Sequence, residues 1–196
     1  MSKLSYKKKL KGFTLVETLV AIFILSMAIT SAMTVAQSSL QASFYSRDRI
    51  SAYFLAGEAI EMIKNKRDEN GIKNFEYPLL DVYWLDGIAS WADSPGPCGD
   101  DAGHICGVDA EREIIELCAE VAPPMNNCLL SKGDSLGIIG HQTGGGFTAT
   151  KFTRTINMER INDNEAKITV RVSWAGRPTF EISEHIFNWH PLSKLE

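Results

Sequence analysis

The side chains able to do chemistry are few and unevenly spread along this 196-residue chain. One carboxylate, Glu17, stands in an otherwise uncharged apolar run from Phe13 to Ala36. A carboxylate inside an apolar membrane-length span costs roughly 2.5–3.5 kcal/mol on insertion scales, so it needs a partner or a purpose. Four cysteines, Cys98, Cys106, Cys118 and Cys128, follow with seven, eleven and nine residues between them. In an oxidising compartment an even set in a loop-rich region reads as two disulfides, with three possible pairings. A structural zinc site with His104 as a spare ligand is the rival, but no pair has the close spacing such sites use. Reduced, buried thiols are the third reading. Asp93, Asp100, Asp101 and Asp109 lie among Gly99, Gly103 and Gly107 and offer the hard oxygen ligands of a calcium loop. Their spacing matches no standard loop, and a solvated acidic loop is the simpler reading.

Nothing else assembles into a catalytic centre. His104, His141, His185 and His190 are scattered and adjoin no G-x-S-x-G or H-E-x-x-H signature. Gly137-Ile138-Ile139-Gly140 and Gly144-Gly145-Gly146 do not join a strand to a helix in a βαβ unit, so they read as a mobile loop rather than a phosphate cradle. The expectation is a chain that is not an enzyme and takes no cofactor. Arg154, Lys167, Arg171 and Arg177 are interleaved with Glu159, Glu165, Glu181 and Glu184. That pattern suits a solvated face with cross-strand ion pairs better than a nucleic-acid surface.

The elements that hold these residues begin with charge. Residues 1–12 carry five Lys and no acid, whereas Thr18 to Ser46 has no charged side chain. Removing the leader from the net charge of −4 leaves 15 basic and 24 acidic residues, a net −9 from Phe13 onward. A 44% apolar, 22% charged composition excludes both a disordered chain and a polytopic membrane protein. About 20 apolar helical residues cross a bilayer, and Lys-rich flanks stay in the cytoplasm. The expected topology is a single pass with the N-terminus inside and everything beyond about Ser38 outside.

Read together, Lys11-Gly12-Phe13-Thr14-Leu15-Val16-Glu17 resembles the class III signal of type IV pilins and of the pseudopilins of type II secretion. It joins a basic leader, Gly before an aromatic residue, an acid five residues into the mature chain and a long apolar helix. The resemblance implies that a prepilin peptidase cuts between Gly12 and Phe13 and N-methylates Phe13. It also gives Glu17 an assembly role: a neighbour's Phe13 amino group becomes its partner in a filament. The implied partners are the peptidase, other pilin or pseudopilin subunits, an inner-membrane assembly platform and the lipid bilayer through one helix. Storage in the inner membrane would precede an extracytoplasmic filament. The stretch Leu55-Ala56-Gly57-Glu58-Ala59-Ile60-Glu61, with Lys64 and Arg67, is most similar to minor pilins and minor pseudopilins. A major pilin is the first alternative, and a membrane-anchored extracytoplasmic binding domain or enzyme with an uncleaved signal anchor the second.

The expected fold is α+β, one long N-terminal helix packed on a small C-terminal antiparallel sheet. Residues 1–12 are the leader and 13–36 the transmembrane or filament-core helix. Residues 37–70 continue it as an amphipathic half, with Ile50, Tyr53, Phe54, Gly57 and Ile60 as the inward stripe and Gly71 as the cap. At 1.5 Å per residue, such a helix spans roughly 85 Å. Residues 71–146 read as a loop-rich region with the four Cys and one short helix, Ala110 to Val121, ended by Pro123. Residues 147–196 read as a meander of three strands. In its central strand Ile168, Val170, Val172 and Trp174 alternate with Lys167, Thr169, Arg171 and Ser173, and Asn162-Asp163-Asn164 makes the turn before it. Arg154 falls on the apolar parity, and Phe187 and Trp189 on the other, so a bulge or strand end is expected there.

Overall fold

The computed structural model of the chain describes residues 12–77, 79, 82–91, 96–99, 104–110, 112–118, 128–133, 139–141, 146–174, 176 and 178–189. The chain divides into two compact units, Met1–Asp48 and Arg49–Glu196. One helix, α1, Leu15–Glu76, contributes to both.

In the first unit the helix is a polar backbone wrapped in apolar side chains. Six of its hydroxyls do not interrupt it because they turn back on the helix itself. Thr18 donates to Leu15 O, Ser26 to Ile22 O, Thr30 to Ser26 O, Ser31 to Ala28 O, Thr34 to Thr30 O and Ser38 to Val35 O, all at 2.7–2.9 Å. Such back-bonding hides a hydroxyl from an apolar solvent without any tertiary partner.

In the second unit α1 buries Ala52, Leu55, Ala56, Ala59, Ile60 and Ile63, the i, i+3, i+4, i+7, i+8, i+11 pattern of one helix face. The expected inward stripe is therefore rotated. Ile50, Tyr53 and Phe54 are 59%, 57% and 68% exposed, and only Ile60 belongs to both sets. Three alanines explain the choice: a small face lets the helix lie close on a sheet, which a face of aromatic rings would hold away. The helix also runs past the expected stop at Asn70-Gly71. Asn70 Nδ2 donates to Asp86 O at 2.9 Å, and the Asn74 side chain both donates to Val82 O and accepts from Val82 N. These two buried amides hold the returning chain against the last turns, so the polar residues that look like an ending are a docking strip.

The sheet is antiparallel throughout. Its strands are β1 (Cys106–Asp109), β2 (Ile114–Leu117), β3 (Leu129–Gly133), β4 (Ile139–Gly140), β5 (Phe147–Asn162), β6 (Glu165–Trp174) and β7 (Phe180–Phe187). The long β5 is its spine. One edge of β5 pairs with β6, which pairs with β7; the other pairs with β3 along its first half and with β1 at Cys106↔Ile156. Strands β2 and β4 flank β1 and β3. The expected meander is β5–β6–β7, with its turn at Asp163 and Asn164. Its inward side carries Phe152, Ile156, Met158, Ile168, Val170, Val172, Trp174 and Ile186. Each such side chain contributes about 1.5–3 kcal/mol when removed from water.

Two further expectations are corrected. The helix placed at Ala110–Val121 is not there: Ile114–Leu117 is a strand in a hairpin with Cys106–Asp109. A short run of Ile-Ile-Glu-Leu satisfies either period, and pairing with β1 decides it. Nor does β5 bulge against β6 at Arg154, which pairs with Val172 in regular register; that pairing is irregular between Arg160 and Asn162, and the β3–β5 pairing shifts between Leu129 and Ser131, which face Thr153 and Ala149. Arg154 keeps the apolar parity because its side chain points into the core, where it is fully buried. At Phe187 the expected strand end is present, since β7 stops there.

Candidate functional site: the start of the helix

Gly12, Phe13 and Thr14 precede the helix in non-helical conformation, and Phe13 is 79% exposed. The Gly12–Phe13 peptide thus lies in exposed, non-helical chain next to a helix start. Thr14 is the N-cap. Its Oγ1 accepts from Glu17 N at 3.2 Å, and its carbonyl accepts from Thr18 N at 3.2 Å. Thr14-Leu15-Val16-Glu17 is the S/T-x-x-E capping pattern, which also puts the carboxylate in the first turn, at the positive end of the helix dipole. Sequence reasoning weighed Glu17 and passed over Thr14, although the three-residue interval was the available signal.

Glu17 differs from the six back-bonded hydroxyls of Thr18 to Ser38. Those close on backbone carbonyls of their own helix, whereas no hydrogen bond or ion pair among the described residues reaches the Glu17 carboxylate. It stands exposed on a helix whose most apolar window is 0% buried. The chain therefore presents a fixed negative group four residues from Phe13, within an apolar surface that water does not favour.

The other candidate residues lie in the second unit. The cysteines pair in sequence order, Cys98 with Cys106 and Cys118 with Cys128, at Cα separations of 5.0 and 5.5 Å. All four are thereby engaged as disulfides, which removes them from zinc chemistry. Asp93, Asp100 and Asp101 lie outside the described residues. Asp109 is buried, and its carboxylate accepts from Arg112 Nε at 2.9 Å, Arg112 N at 3.2 Å and His141 N at 3.3 Å. Burial works against its ionisation, but the hydrogen bonds from Arg112 and from the His141 amide outweigh it and hold the carboxyl below its ordinary range. Asp109 is thus the capping group of the β1–β2 turn. Among the described residues no group of three or more His, Cys, Asp or Glu is placed to hold a metal ion.

Arg154 is the second residue that sequence reasoning misjudged. From β5 it donates to Leu55 O at 2.8 Å and Glu58 Oε2 at 2.6 Å on α1, and to Val108 O at 2.6 Å on β1. One guanidinium fork ties helix, spine and hairpin together. On the outer face, Arg171–Glu181 at 2.7 Å and Lys167–Glu159 at 3.9 Å are the cross-strand pairs expected of a solvated surface.

A long helix, apolar in its first unit with an acid near its start and packed on an antiparallel sheet within the second, is consistent with a pilin-like α+β fold. Residues 7–33 of the 196 match the family described as the prokaryotic N-terminal methylation motif. That motif supports a type IV pilin-like protein, and it implies processing by a prepilin peptidase, membrane anchoring and assembly with other pilin subunits. Comparison with curated proteins and with solved structures found no match.

Proposed function

We propose that the chain is a minor pilin or minor pseudopilin, cut between Gly12 and Phe13, N-methylated on Phe13, and inserted into a type IV pilus or type II secretion-like filament with its head outside. The observation that carries this reading is the lone Glu17 carboxylate. The hydroxyls of Thr18, Ser26, Thr30, Ser31, Thr34 and Ser38 are satisfied within their own helix, so Glu17, the one charged group of the span, is the group left for another molecule. The amino group freed on a neighbour's Phe13 is a cation of matching depth, and the pair removes two charges that would each be unfavourable alone. The five Lys of the leader favour an N-terminus inside, at the assembly platform of the inner membrane.

Mass spectrometry of the N-terminal peptide from cell-purified protein tests the processing. A chain starting at methyl-Phe13 is expected, and an intact Met1 overturns the reading in favour of an uncleaved anchor. Glu17→Ala is expected to leave cleavage intact and to abolish recovery in sheared filaments. Recovery of that variant at wild-type levels would remove Glu17 from assembly. Scarcity relative to the principal subunit in the same fraction distinguishes a minor from a major pilin.

A further inference from the structure

The two disulfides are not equivalent. Cys98 and Cys106 are both 0% exposed, and both are set in paired backbone: Cys98 N donates to Ile88 O, Ser90 N to Cys98 O, and Cys106 pairs with Leu117 and Ile156. Neither sulfur is reachable without opening the core. Cys118, just past the end of β2, also has a paired amide, donating to Ile105 O at 2.7 Å, but it is partly exposed, and among the described residues β2 pairs with β1 alone. Its partner Cys128 is 0% exposed. An attacking thiolate must approach in line with the S–S bond, and here only the Cys118 end offers that approach.

The buried end has a neighbour suited to a leaving sulfur. A Cβ placed on Gly107 would stand 3.0 Å from Cys128 Sγ and 3.3 Å from His141 Cε1 and Nε2. The sulfur and the imidazole thus both lean over a residue that has no side chain to separate them. The His141 main chain is fixed by the hydrogen bond its amide N–H donates to the Asp109 carboxylate, which is held in turn by Arg112. An imidazole at this place favours departure of a thiolate, because a proton can be delivered to it without waiting for bulk water to enter.

We propose that Cys118–Cys128 is a thiol–disulfide exchange site, entered at Cys118 by a dithiol of the oxidoreductase class with Cys128 leaving beside His141, whereas Cys98–Cys106 is purely structural. In the reducing direction, one thiolate of the dithiol attacks Cys118 Sγ. The S–S bond breaks, and Cys128 leaves with the electron pair and takes up a proton from the imidazole side. The second thiol then displaces Cys118 as a thiol. The dithiol ends as its disulfide, and the head has gained two hydrogens. The reverse sequence installs the bond.

The test uses full-length protein in detergent micelles with limiting dithiothreitol, quenched by N-ethylmaleimide and mapped by peptide mass. Cys118 and Cys128 are expected to become labelled at least about tenfold faster than Cys98 and Cys106, and glutathione is expected to leave its adduct on Cys118. Equal rates, earlier opening of Cys98–Cys106, or an adduct on Cys128 would overturn the proposal. His141→Gln is expected to slow opening of Cys118–Cys128 several-fold near neutral pH without changing the other bond. An unchanged rate in that variant removes the imidazole from the step. The adduct position in wild-type protein tests the point of entry whether or not the variant folds.

Discussion

The apolar half of the helix and the head solve the same problem, polar groups out of water, in opposite ways. In the helix six hydroxyls, from Thr18 to Ser38, are satisfied three or four residues back along their own chain. In the head, buried Arg154 reaches 99 residues back to Leu55 and 46 to Val108, and Asp109 accepts from His141, 32 residues on. Local satisfaction makes a surface that can be placed in lipid or against other helices without rearrangement. Distant satisfaction makes a unique fold that is sensitive to single changes. Glu17 belongs to neither group, which is the basis of the assembly role proposed for it.

The sharpest way to break this contrast is Glu58→Ala. The Glu58 side chain is 41% exposed and looks dispensable, but its removal leaves the fully buried Arg154 charge with two carbonyls and without its carboxylate. A loss of about 3–5 kcal/mol is expected in urea unfolding of the full chain in micelles. Arg154→Met, which removes the buried charge itself, should cost less, about 1–3 kcal/mol for carbonyls left short of a donor. The opposite order would show that the carboxylate does not balance the guanidinium. Asn74→Ala, which uncouples Val82 from the helix, is expected to cost about 1–2 kcal/mol and to speed amide exchange over residues 70–76.

A pH titration sharpens the same comparison. The folded-state pKa of Asp109 lies below the unfolded value, so its contribution is present above about pH 4, the unfolded carboxyl range, and is lost as pH falls through the lower folded value. Asp109→Asn is expected to flatten that acid limb of the stability curve, measured by thermal melts between neutral pH and the acid range. The smallest effect belongs to the apolar half: Thr30→Ala deletes one back-bond to Ser26 and is expected to change helix stability by no more than about 0.5 kcal/mol, read by circular dichroism in micelles.

Sequence legibility follows the same division. The helix start could be read because its determinants lie within seven residues, from Lys11 to Glu17. The β5–β6–β7 meander could be read because alternation is a period-two signal carried by neighbours. Three features could not. The buried helix face was hidden by Tyr53 and Phe54, whose bulk weighs more in a hydrophobic pattern than the Ala52, Ala56 and Ala59 that make close packing possible. Ile114–Leu117 is too short for its period to be decided locally. Arg154 looked like a defect in a strand because its partners, Leu55, Glu58 and Val108, are distant in sequence. Asp109 was read as a possible cation ligand for the same reason, since the Arg112 and His141 amides that occupy it are contributed by a turn and by a later strand end.

The 99-residue reach from Arg154 to Leu55 also sets an order of events in time. The face of α1 that ends up buried is made early, and the strands that cover it come from the last 50 residues. Contacts of such high sequence separation are slow to form, because the loop must close before any of them is gained. The Cys98–Cys106 and Cys118–Cys128 loops, with separations of 8 and 10, can close long before that. Biogenesis is therefore staged, with the small covalent rings complete first and the helix covered last. Until β5 arrives, the alanine face of the helix is bare.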